Sequence, residues 1–187
     1  RGFDKFSFDF PEPSVPFQGM QFGFIVFTRE NAYALDPAAT RADLAGDTLT
    51  ITCSGFTWAG GQEKAPGTLV ARLKRDGRAV SVDVTADMGQ PIKTVTTVVR
   101  GVPRGHISTG GTFFDPRDDE LLFGYPFSGG DLFGPGGAGG LVTPLALVQN
   151  SDSEYFYLQS LDFQVRTKRL YFQPGDAGYR VEMIHEE

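Results

Sequence analysis

The side chains able to do bond-making chemistry are few. Cys53 is the single cysteine, and His106 and His185 are the two histidines. One thiol can form neither an internal disulfide nor a cysteine-based zinc site, and two separated histidines do not make a zinc cluster. A nucleophilic Cys53 would need a neighbouring base, and neither histidine is near it in sequence. The run Leu49-Thr50-Ile51-Thr52-Cys53 puts Cys53 on the face of Leu49 and Ile51. The expectation is a small buried apolar residue with no redox role. No cofactor is expected.

The carboxylates offer two possibilities. Asp115, Asp118, Asp119 and Glu120 cluster around Pro116-Arg117 and could hold one calcium ion, but their spacing is not that of an EF-hand loop. A solvated turn is the plainer reading. Glycosidase chemistry needs two carboxyl groups facing each other across a cleft. Asp115, Asp131, Glu154 and Asp162 are loop candidates, yet no spacing singles out a pair.

The residues 134–140 read GPGGAGG. With a proline inside and no following Lys or helix they do not form a phosphate loop. Glycine fills eight of the seventeen positions from 124 to 140, so this stretch is read as a surface loop.

Aromatic stacking on sugar is a further lead. Trp58, the only tryptophan, sits in Ser54-Gly55-Phe56-Thr57-Trp58-Ala59-Gly60-Gly61. Small neighbours leave a ring face open, and sugars present flat C–H faces to such rings. The plainer reading is a large aromatic capping the edge of the core. Tyr125 and Phe127, beside the glycine-rich loop, carry the same two readings. Arg166 and Lys168 share one face of a strand-like run. They could hold the carboxylate of a uronic acid or an acid on a neighbouring domain, or simply be solvated. The candidate carbohydrate-binding residues are therefore Trp58, Tyr125 and Arg166.

The elements that must position these residues are strands. Apolar residues recur with period two almost everywhere. Phe6, Phe8 and Phe10 alternate with polar residues. Residues 20–28 are apolar on both faces, as in a central covered strand. Leu69, Ala71 and Leu73 lead to Asp76-Gly77, and Val80, Val82 and Val84 lead back. This is a hairpin signal, with Asp76 and Gly77 expected at the centre of a two-residue turn between Arg75 and Arg78. Further strands are read at 49–53, 93–100, 120–125, 143–149, 154–159, 168–173 and 179–185. Residues 37–44 read as a short helical turn. About eleven strands at short spacing predict an all-β fold, a large antiparallel two-sheet β-sandwich.

The chain has 187 residues, 40% of them hydrophobic and 17 of them Phe. It is read as a single domain over residues 1–187, cut from a longer polypeptide. The net charge of −6 opposes non-specific nucleic-acid binding and provides no basic patch for anionic membranes. No stretch reaches the ~20 apolar residues of a membrane helix. Secretion or a periplasmic location stays open.

The segment RTKRLYFQPGDAGYRVEMIHEE at the end of the chain, with the earlier VVRGVPRG (98–105), resembles the β-sandwich domain that precedes the catalytic barrel in large bacterial glycoside hydrolases. The resemblance covers about the last half of the chain and carries over no functional residue. It implies a non-catalytic accessory domain that packs on the catalytic domain of the same polypeptide and shapes the substrate cleft. A free-standing lectin-like module, and a hydrolase or lyase with its own carboxylates, are the alternatives. An open aromatic groove would favour binding; convergent Asp, Glu, Arg and Tyr would favour catalysis.

Overall fold

The computed structural model describes residues 2–9, 20–77, 79–108, 113–114, 120–124, 145–149, 155–162 and 168–186. They form two antiparallel sheets, with strands numbered along the chain. The first sheet runs β12 (Phe113–Phe114), β11 (His106–Ser108), β14 (Leu145–Gln149), β15 (Tyr155–Ser160), β1 (Gly2–Asp9), β9 (Ala79–Asp87), β8 (Thr68–Asp76), β5 (Thr48–Cys53), β4 (Thr40–Ala45). The second runs β13 (Glu120–Gly124), β16 (Lys168–Gly175), β17 (Gly178–Glu186), β10 (Thr94–Val102), β2 (Gln21–Phe27), β3 (Ala32–Leu35), β6 (Phe56–Trp58), β7 (Glu63–Ala65). The fold is an all-β sandwich. No helix among the described residues is long and apolar enough to cross a membrane.

The alternation explains the core. Leu69, Ala71 and Leu73 on β8, and Val80, Val82 and Val84 on β9, are fully buried on the inner face of the first sheet. Val95 and Val99 on β10 and Val181 and Met183 on β17 answer them from the second sheet. Each of the Val, Leu and Met side chains contributes about 1.5–3 kcal/mol through removal from water. β2 lies between β10 and β3, as its two-faced apolar pattern requires. Phe24 and Val26 point inward and are buried, while Ile25 and Phe27 are half-buried on the other side.

Two local expectations shift. The β8–β9 hairpin forms, but Asp76 pairs with Ala79, so the two loop positions are 77 and 78 rather than 76 and 77. Gly77 has φ +59, which suits the first position of a primed turn. The helical reading of 37–44 holds only for a 3-10 turn at Pro37–Ala39. The chain then extends, because Thr40 to Ala45 pair along β5. The strands that sequence reading did not find are β3, β4, β6, β7, β11 and β12, none longer than six residues. Runs this short show too few alternations to stand out.

Candidate functional site

Phe56 and Trp58 fall on the same side of β6, two residues apart. Phe56 is fully buried, whereas Trp58 is half-buried and packs against the edge of the core. The next three residues keep the rest of the ring accessible. Ala59, Gly60 and Gly61 have φ of 50, 68 and 89, so all three take positive φ in succession. Ala59 is the only non-glycine to do so among the described residues, a conformation that costs an alanine about 1–2 kcal/mol. The turn carries the chain away from the ring, and a Cβ at Gly60 or Gly61 would meet nothing within 4 Å.

The result is a groove of about 570 Å³ beside Trp58. Ala32 and Ala34 of β3 and Thr57 of β6 form its floor on the outer face of the second sheet, since Ala34 and Thr57 are cross-strand partners. Leu35 and Pro37 add apolar wall. Small residues and one large ring give an open aromatic surface. One part of the Trp58 ring thus packs against the edge of the core, and another lines the groove.

Lys64 stands at the rim. Its Nζ donates to Asp36 Oδ2 at 2.6 Å. Asp36 also accepts from the Ala38 N–H at 3.1 Å, which caps the 3-10 turn carrying Pro37. The Lys64 hydrogen bond holds the Asp36 carboxyl below its ordinary range, against the opposing effect of burial, and the Ala38 N–H adds to the lowering. Because the folded value is depressed, the contribution is present above the unfolded value of about 3.9 and is lost as pH falls through the folded one. The expected result is an Asp36 carboxyl-carbon NMR titration with a midpoint below ~3.9 that rises in Lys64→Met. An unchanged midpoint in that variant would show that Lys64 does not set the state of Asp36.

The other candidates fare differently. Tyr125, Phe127 and Arg166 lie outside the described residues, as do Asp115, Asp118, Asp119, Asp131, Glu154 and the glycine-rich run. Among the described residues no group of three or more His, Cys, Asp or Glu could hold a metal ion. Cys53 is fully buried and its Sγ donates to the Gly55 carbonyl at 2.7 Å. Its cross-strand partners are Thr40 and Leu69, neither of them a base.

Two expectations are corrected. Lys168 is not on a solvated face. It lies in line with Leu170 and Phe172 on β16, 7% exposed, with Nζ 3.3 Å from Asp162 Oδ2. Asp162, 8% exposed, is therefore an ion-pair partner inside the protein rather than an open loop carboxylate.

Beside this pair lies a contact that sequence reading missed. Ser160 Oγ is 2.7 Å from His185 Nε2, and Ser160 also accepts from the Asp162 N–H at 3.2 Å. A serine beside a histidine is the geometry of an activated nucleophile. Here both side chains are buried, with His185 only 1% exposed and on the inward face of β17. The pair is better read as a polar link between β15 of one sheet and β17 of the other. Its sequence signal was His185 at an inward position, in register with Val181 and Met183.

No protein-family model, curated protein or solved structure matches the chain.

Proposed function

We propose that this chain is a non-catalytic β-sandwich that holds carbohydrate beside the catalytic domain of a glycoside hydrolase on the same polypeptide. The observation that carries the reading is the Trp58 groove: one large ring, partly open, over a floor of alanine and threonine. An aromatic face flanked by a few polar groups is a surface suited to a sugar ring. Two carboxylates of β17 among the described residues argue the same way. Glu182 is ion-paired with Arg180, and Glu186 with Arg169. Carboxylates so tied are poorly placed to serve as the acid and base of glycoside cleavage.

The test is calorimetric titration of the chain with neutral oligosaccharides, alongside thermal melts. Trp58→Leu keeps apolar bulk against the core and removes the flat ring. Ala34→Gln fills the groove from an exposed position without touching the core. Each variant is expected to weaken binding about tenfold or more while remaining folded. Unaltered affinity in both would remove Trp58 from the site. Hydrolysis of any glycan by residues 1–187 alone would overturn the non-catalytic reading and favour an enzyme.

A further inference from the structure

The groove beside Trp58 is one end of a longer feature. Cross-strand pairing sets a single row across the outer face of the second sheet, from Arg169 through Ile184, Thr96, Ile25, Ala34 and Thr57 to Lys64. Strands in a sheet lie about 4.7–4.9 Å apart, so the six steps of this row span roughly 28 Å. Trp58 flanks the row near the Lys64 end. Near the other end is a second groove of about 390 Å³, lined by Phe27, Lys93, Thr96, Arg169, Tyr171 and Ile184.

One hydroxyl in this second groove is out of keeping with its surroundings. Thr96 is 0% exposed, and its Oγ1 has no hydrogen-bond partner. Buried hydroxyls in native folds are nearly always paired, because an unpaired one forfeits its bonds to water without replacement. Thr96 pairs with Ile184 and Ile25, so it belongs to the outer row and not to the core between the sheets.

The charge at this end is the second observation. Thr28 and Lys93 also line an adjoining groove of about 470 Å³, together with Arg29, Pro91 and Ile92. Arg29 and Lys93 are exposed and have no ion-pair partner among the described residues. Glu182 reaches the second groove too, but its carboxylate is tied to Arg180. In a chain of net charge −6, this end of the face offers two uncompensated cations beside an unpaired hydroxyl.

We propose that this end of the row binds an acidic sugar, a hexuronate unit of a glycan whose neutral part lies against Trp58. The sugar carboxylate pairs with Lys93 and Arg29, a ring hydroxyl bonds to Thr96 Oγ1, and the apolar sugar face rests on Tyr171 and Phe27. Thr96 is closed off from water, so contact with a ring hydroxyl requires side chains lining the groove to move. The inference rests on the reading of the Trp58 groove as a carbohydrate site and adds the class of glycan.

The experiment titrates the chain with tetrasaccharides of galacturonate, mannuronate and guluronate, and with cellotetraose and xylotetraose as neutral probes. Wild type is expected to bind at least one acidic probe more tightly than either neutral one, with an affinity that falls as salt is raised. Thr96→Val and Lys93→Met are each expected to weaken the acidic probe about tenfold, the loss of one charge-assisted or buried hydrogen bond, and to leave neutral binding unchanged. Thr96→Val conserves shape and removes the unpaired hydroxyl, so its melting temperature should not fall, which separates a ligand contact from a structural role. Neutral and acidic probes bound alike, or an acidic affinity that neither variant changes, would overturn the acidic-sugar assignment while Trp58 dependence persists. Failure of every probe to bind would overturn both this inference and the reading it rests on.

Discussion

Gly178→Ala is expected to cost about 3 kcal/mol or more, the sum of backbone strain and overpacking, for the addition of a single methyl group. Gly178 opens β17 immediately after the two-residue turn at Asp176-Ala177, with φ +111. An L-residue rarely adopts that conformation. Space is short as well. A Cβ there would lie 2.4 Å from the Val102 carbonyl oxygen and 3.1 and 3.2 Å from the carbonyl carbons of Val102 and Gly101. All three atoms are backbone, so no side chain can rotate away.

Those atoms belong to a β-bulge in β10. The register to β17 slips between Arg100 and Val102, and Gly101 sits at φ +81. The bulge bends β10 toward the start of β17, and only a residue without a Cβ lets the two strands close. Tyr179, the next residue, depends on that closure. It is 2% exposed, meets Phe172 edge-on with centroids 5.9 Å apart, and its hydroxyl donates to the Gly105 carbonyl at 2.8 Å. For a chain of this length the predicted loss lowers the melting temperature by roughly 6–12 °C. Gly77→Ala is the control: it has positive φ but nothing within 4 Å, and should lose only about 1 kcal/mol. Equal losses in the two variants would show that the Val102 carbonyl gives way.

The hairpin of β8 and β9 shows how far a single sequence can be read. Its alternation places Leu69, Ala71, Leu73, Val80, Val82 and Val84 on one face, and all six are buried there. The turn was read one residue early. Pairing Arg75 with residue 78 or with Val80 leaves the same residues inward, because the two registers differ by two positions and the side-chain period is two. Burial pattern therefore cannot choose between them, and only the turn geometry does. Thr96 was illegible for a related reason. The stretch Thr94-Val95-Thr96-Thr97-Val98-Val99 is buried throughout, so it presents no polar–apolar alternation. Its outward residues emerge only from the long-range pairing with β2 and β17. The open space beside Trp58, by contrast, was legible, because its small neighbours are adjacent in sequence. Lys168 could have been read correctly: a lysine two residues before Leu170 and four before Phe172 occupies an inward position, which calls for an acidic partner.

That inward lysine leads to the second large effect. Asp162→Ala is expected to destabilise the chain by about 3 kcal/mol, because it leaves the buried Lys168 ammonium without the carboxylate that faces it. The side chains are 9% and 2% exposed for Lys168 and Asp162, so water compensates little. Both residues take part in further interactions, which places the expectation at the low end of the range for broken buried pairs. Lys168 is the cross-strand neighbour of His185, whose Nε2 contacts Ser160, and the Asp162 N–H returns to that same Ser160 oxygen. The four residues thus form one polar connection from β15 of the first sheet to β16 and β17 of the second. If the pair acts as a unit, the losses will not add. Lys168→Met alone strands the Asp162 carboxylate and should cost a similar amount, whereas Asp162→Ala with Lys168→Met removes both charges and should recover part of the loss. Chemical denaturation of the four species measures this directly, and a double variant whose loss equals the sum of the singles would show that the two charges do not depend on each other. Thr96→Val lies on the outer face of the second sheet and should leave this cycle unchanged. That independence separates a polar link that holds the sheets together from the unpaired hydroxyl proposed to meet a ligand.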